Sequence, residues 1–180
     1  MRITISGPPG SGKTTVCRML GDRLGIDVVI SGHIFRQMAK EHGMSLQEFG
    51  RMCEADPQAD IALDERMVEI ARQNDHVCLE GRLTAYMLTR HGIDAFRVLL
   101  TADIGERARR VAEREGGDAN QRKAEIEERE ACEAKRYQAY YDIDIRDRSV
   151  YDLVIDTTHI SAEEVAGAII REAGNGRDAR

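Results

Sequence analysis

The sequence lacks any excess of positive charge: 26 lysines and arginines stand against 32 acids, a net charge of −6 over 180 residues. That excludes a protein that wraps nucleic acid through a global basic field, while leaving room for a local cationic pocket. No C-x-x-C pair occurs. Cys17, Cys53, Cys78 and Cys132 are scattered, which suggests neither a zinc knuckle nor a redox motif. Cys17 and Cys78 fall inside apolar patterns and read as small core residues, and a reducing cytoplasm is the expected setting. No apolar run approaches the roughly 18 residues of a membrane span. A strand starting close to Met1 leaves no room for a secretion signal. The five histidines form no spaced cluster, so none reads as a metal ligand. Aromatic residues are just 4% of the chain, so Tyr137, Tyr140 and Tyr141 read as helix packing rather than a base-stacking platform.

What is present is an alternation of short β-branched runs and amphipathic stretches. Strands are expected at Arg2–Ser6, Asp27–Ile30, His76–Glu80, Phe96–Leu100 and Tyr151–Thr157. A helix follows the first strand, with Val16, Leu20 and Leu24 on one face and Gly25 ending it. Further helical patterns cover Ile34–His42, Leu46–Ala55 and Ile61–Arg72. A long charged helical region runs from Asp103 to Tyr141, broken at Glu115–Asn120. Ser161 and Glu164 form a capping box that opens a last helix, and the polar tail from Gly174 is expected to fray. This order predicts an α/β fold with a five-stranded parallel sheet, helices on both faces and a ligand at the carboxyl edge. The length suits one domain.

Gly7-Pro8-Pro9-Gly10-Ser11-Gly12-Lys13-Thr14 fits G-x-x-x-x-G-K-[ST] at every fixed position, with Thr15 following, and lies between a predicted strand and a helix. Glycines let backbone N–H groups converge on phosphate oxygens, and the helix beginning near Lys13 adds its positive end. Lys13 can reach the β- and γ-phosphates of a nucleotide, and the Thr14 hydroxyl can hold Mg²⁺. This is a P-loop, and the fold expected around it is the three-layer P-loop NTPase fold. There is no N-K-x-D guanine motif and no D-x-x-G after the third strand. A slow nucleotide-dependent switch is therefore disfavoured against a kinase of a small acceptor.

Such a kinase needs a second anion site. "SGHIFR" (Ser31 to Arg36) and "EGRL" (Glu80 to Leu83) both follow strands, so Arg36 and Arg82 can face the cradle and grip a phosphate with a planar fork. Glu80 ends an apolar strand, where a carboxylate ordering Mg²⁺ belongs. From Glu106 to Arg136 the nine basic and nine acidic residues cancel. Arg107, Arg110 and Arg114 nevertheless share one helical face, and Arg129 and Arg136 lie seven apart on another. Two helices meeting near Gly116-Gly117 could fold these arginines over the phosphates as a lid. The alternative is a solvated helix laced with pairs such as Glu106–Arg110 and Glu125–Arg129.

Taken together, "GPPGSGKTT" at 7–15, "SGHIFR" at 31–36, "LEGRL" at 79–83, "ERARRVAERE" at 106–115 and "YDLVIDTT" at 151–158 resemble the nucleoside monophosphate kinases, and among them the archaeal-type cytidylate kinases. The resemblance implies ATP phosphates at Gly7–Thr15 and an acceptor-binding segment over about 31–75. It implies acceptor contacts at Ser31, Gly32, Arg36, Gly81 and Arg82, and a lid over about 103–141. Bacterial cytidylate kinases follow the Gly-Arg pair with aspartate, where this chain has Leu83, and they carry a larger acceptor insertion. The expected reaction transfers the γ-phosphoryl of MgATP to CMP or dCMP in a cytoplasmic monomer, with no nucleic acid or membrane partner. Adenylate kinase, or another small-acceptor kinase, is the second reading.

Overall fold

The computed structural model describes residues 1–45, 48–49, 52–53 and 56–178. Strand β1 (Arg2–Ser6) buries every residue from Ile3 onward, as a strand must when neighbours flank it on both edges and helices cover both faces. It pairs in parallel with β3 (Val77–Glu80) and β4 (Phe96–Thr101). Outside these lie β2 (Asp27–Ile30) and β5 (Leu153–Asp156), giving the order β2-β3-β1-β4-β5, all parallel. The five expected strands are all present, β1 and β2 with the expected bounds and the other three with an end shifted by one or two residues.

Seven helices are described: α1 (Lys13–Leu24), α2 (Ser31–Glu41), α3 (Gln58–Gln73), α4 (Thr84–Arg90), α5 (Ile104–Glu115), α6 (Ala119–Tyr141) and α7 (Ala162–Asp178). On one face of the sheet, Ile3, Ile5, Val98 and Leu100 pack against Val16, Cys17 and Leu20 of α1 and Val165 and Ile169 of α7. On the other, Val77 and Leu79 meet Met67 and Val68 of α3, Tyr86 and Leu88 of α4, and Tyr137 of α6. Each large apolar side chain buried this way contributes roughly 1.5–3 kcal/mol. Cys17 and Cys78 are core residues, as their pattern indicates. Among the described residues, no helix is long and apolar enough to cross a membrane.

Helix α2 corrects one boundary. It starts at Ser31, directly after β2, rather than at Ile34, because extended Ile30 serves as its N-cap. "SGHIFR" is thus the first turn and a half of a helix. The pattern at Leu46–Ala55 falls largely outside the described residues. The charged region breaks where expected: Gly116 and Gly117 take positive φ, and the Asp118 carboxylate accepts from the backbone N–H of Asn120 and Gln121 to start α6. Ser161 and Glu164 close their capping box. Helix α7 runs on through Asp178, past the point where fraying is expected, since Gly174 does not stop it.

Candidate active site

At the carboxyl edge of β1 the chain turns through Gly7–Gly12 into α1. Gly10 has φ 80°, and a Cβ there would meet the Arg107 carbonyl oxygen at 2.6 Å, so this position needs glycine twice over. Gly12, at φ 89°, is the N-cap of α1 and supplies no side-chain cap, leaving the first N–H groups of the helix for a ligand. Ser11 N–H donates to the Pro8 carbonyl at 3.3 Å and closes the turn. Lys13 Nζ donates to the same carbonyl at 2.9 Å. Burial pulls the Lys13 ammonium down to about 8, against the opposing pull of Glu80. Thr14 Oγ1 donates to Glu80 Oε2 at 2.9 Å, so the hydroxyl and the strand-end carboxylate meet in one spot. Pro9 is half-buried on the loop, and Thr15, in the first turn of α1, is exposed.

Beside the loop opens a cavity of about 540 Å³. Ser31, Gly32 and Arg36 reach it from α2, Gly81 and Arg82 from the β3–α4 link, and Arg129 and Arg136 from α6. Arg36 Nη1 donates to the Gly32 carbonyl at 3.3 Å. Arg82 is the hub. Its Nε donates to Glu133 Oε2 at 2.6 Å, its Nη2 to the same oxygen, and its Nη1 to the Gly7 carbonyl at 2.7 Å. Arg129 Nε donates to Glu133 Oε1 at 2.8 Å. Burial opposes ionisation of Glu133, but Arg82 and Arg129 prevail and hold its carboxyl below the ordinary value. Arg129 remains 65% exposed at its side chain and so can still meet a ligand. Cys132 stands exposed on the cavity wall between them.

The arginines of α5 divide. Arg107 is buried, donating to the Pro9 carbonyl at 3.3 Å and to Glu130 at 2.7 Å. Arg110 reaches the Gly10 carbonyl at 3.4 Å and Thr157 Oγ1 at 3.0 Å, bracing the loop from the β5 side. Arg114 is exposed and pairs with Glu115, away from the loop. Glu106 does pair with Arg110, at 2.8 Å, but Arg129 takes Glu133 as its partner while Glu125 pairs with Arg122.

Four acids of the cavity lining are absent from the sequence reading: Asp60, Asp64, Glu128 and Glu133. Asp60 Oδ2 faces Arg136 Nε at 3.3 Å. Tyr141 Oη donates to Asp64 Oδ2 at 2.7 Å, and burial pushes the Asp64 carboxyl up to about 7. The i, i+4 spacing of Asp60 with Asp64 and of Arg129 with Glu133 was the available signal. On its own it cannot tell a cavity wall from a solvated face.

Residues 2–159 match the cytidylate kinase-like family. The chain belongs to that family. A curated cytidylate kinase of Halorubrum lacusprofundi is 46% identical over 170 residues, covering 94% of this chain and 88% of the relative. The cytidylate kinase of Methanocaldococcus jannaschii is 45% identical over 166 residues, 92% of this chain and 93% of the relative. Among solved structures, shikimate kinase from Acinetobacter baumannii aligns with a TM-score of 0.66 at 18% identity, over 97% of this chain and 93% of that one. At that identity it speaks for the fold alone, that of a P-loop kinase.

Proposed function

We propose that the protein transfers the γ-phosphoryl group of ATP to CMP or dCMP, giving ADP and the pyrimidine diphosphate. The observation that carries this reading is Arg82, which lines the acceptor cavity and bonds the first residue of the phosphate loop. The family, and relatives named cytidylate kinase, support the cytosine nucleotide as acceptor.

The geometry suits in-line transfer without a covalent intermediate. The acceptor phosphate oxygen is already a nucleophile near neutral pH, so the chain has to align and to neutralise. Gly7–Thr15 would cradle the donor phosphates, with Lys13 near the transferring group. Arg36, Arg82 and Arg129 would hold the acceptor phosphate, and Arg107 would add charge beside Pro9. Arg110 fits a bracing role better than a transferring one, and Arg114 could join only if α5 moves. Thr14 and Glu80 would hold magnesium, whose contribution when bound is to neutralise the β- and γ-phosphates; one carboxylate and one hydroxyl suit an ion that takes its other ligands from phosphates and water. The segment over about 31–75 would then carry the acceptor, and the hairpin over about 103–141 would be the lid. Free thiols at all four cysteines fit a reducing cytoplasm.

A coupled ADP-release assay across the monophosphates tests the reading. CMP and dCMP should give the highest kcat/KM, UMP less, AMP and GMP least. A maximum with AMP would replace the acceptor, and ADP release independent of any monophosphate would make the protein a hydrolase or switch.

A further inference from the structure

Arg82 ties the cavity to the phosphate loop through Gly7, and Glu133 joins Arg129 to Arg82. Asp60 and Arg136 line the same cavity, together with apolar Phe35, Leu63 and Leu83. Arg129 and Arg136 are two helical turns apart on α6, about 10 Å along the axis, a separation suited to the span from a nucleotide's phosphate to the far edge of its base. Asp60 Oδ2 and Arg136 Nε form a buried ion pair at 3.3 Å, and neither atom makes a hydrogen bond among the described residues. Those two atoms face each other, so an acceptor would meet the remaining carboxylate oxygen and the Nη groups of the pair. Of the other acids on the lining, Asp64 is committed to Tyr141, Glu133 to Arg82 and Arg129, and Glu125 to Arg122.

Resting on the cytidylate reading above, we infer that Asp60 and Arg136 together read the cytosine edge of the acceptor. Asp60 accepts from the exocyclic amine, and Arg136 donates to the ring nitrogen N3 and the carbonyl O2. Side by side the pair offers acceptor, donor, donor, and cytosine presents donor, acceptor, acceptor. Uracil presents acceptor, donor, acceptor. Its O4 would face the carboxylate and its N3–H the guanidinium, two repulsive contacts of three. Adenine matches the first two positions but puts a C–H at the third. The pair thus supplies the discrimination that Leu83, being apolar, cannot.

The test compares kcat/KM for CMP, for UMP and for the CMP analogue whose cytosine lacks the 4-amino group. Wild type, Asp60→Asn, Asp60→Ala and Arg136→Gln are each checked for a cooperative melt. Wild type should lose at least about 30-fold on the analogue, the scale of a hydrogen bond to a charged group. Asp60→Ala should lose about as much on CMP and then be indifferent to the missing amine. Asp60→Asn, whose amide can turn its NH₂ toward O4, should lower the CMP:UMP preference at least about tenfold. A merely structural pair would slow all three acceptors alike and leave that ratio fixed. An analogue as good as CMP on wild type overturns the inference whether or not any variant folds, as does an Asp60→Ala enzyme still sensitive to the amine. Failure of wild type to use CMP at all would instead overturn the function proposed above.

Discussion

Arg82 donates to the Gly7 carbonyl at 2.7 Å, which fastens an arginine of the acceptor cavity to the loop assigned to the donor. Its other nitrogens are held by Glu133, whose side chain is just 5% exposed. The guanidinium therefore has little freedom to lose when a phosphate arrives, and the two halves of the site share one rigid part. Arg82→Ala should raise KM for the acceptor at least about tenfold, the loss of a charge-assisted contact of roughly 1.5–3 kcal/mol. Because the Gly7 anchor goes too, KM for ATP should rise by about two- to fourfold rather than stay fixed. An effect on ATP alone would contradict the division into two phosphate sites.

Lys13 sets a pH dependence. In the free protein its ammonium is pulled by burial from 10.5 down to about 8, so above that pH the loop loses the charge that greets a triphosphate. A bound triphosphate pulls the proton back. The kcat/KM for MgATP should therefore fall about tenfold per unit above pH 8, while kcat stays level to higher pH. A pH–rate profile from 6.5 to 10 checks this. A level kcat/KM across that range would count against Lys13 as the donor contact.

Asp64 should leave a mark on stability. Its folded value, raised by burial to about 7 with Asp60 adding to the rise and Tyr141 opposing it, lies above the 3.8 of an unhindered aspartate. The folded state thus holds this proton more tightly. The advantage is complete below about pH 4 and is lost as pH climbs through 7. Asp64→Asn does not titrate, so relative to wild type it should gain on the order of 1–2 kcal/mol between pH 4 and 8, discounted because the carboxyl is partly open to the cavity. Urea melts at the two pH values measure the difference. A constant difference would mean that Asp64 is already ionised in the folded protein at low pH.

Gly10→Ala should damage both fold and donor site. The backbone is left-handed there, and the new methyl meets Arg107 at its carbonyl oxygen, Cα and Cβ. Forcing this costs about 1–3 kcal/mol for the backbone alone and displaces the helix that carries Arg107 and Arg110. A lower melting temperature with a KM for ATP raised more than that for the acceptor is expected. Wild-type values for both would mean that the loop yields at no cost.

The sheet and the phosphate loop were legible in the sequence because each rests on a local pattern. β-Branched runs such as "RITIS" mark buried strands, and the fixed spacing of Gly7, Gly12 and Lys13 is imposed by the phosphates themselves. The cavity proposed for the acceptor is assembled from α2, α3, the β3–α4 link and α6, far apart in the chain. Arg36 and Arg82 could be found because strand ends point to the same edge. Asp60 and Glu133 could not, since their partners Arg136 and Arg82 are 76 and 51 residues away, and nothing local separates them from the other acids of charged helices. The first turn of α2 was missed for a related reason. Ser31 and Gly32 are poor interior helix residues, and it is the geometry of Ile30 that starts the helix there.

Cys132 gives this cavity a chemical handle. Cys17 and Cys78 are sealed in the core and Cys53, though on the cavity lining, is 1% exposed, while Cys132 stands open on the wall between Arg129 and Glu133. A maleimide or iodoacetamide offered to the native protein should thus alkylate one sulfur first. Whatever fills the cavity should slow that alkylation, so acceptor occupancy can be titrated with no turnover and no coupling enzyme.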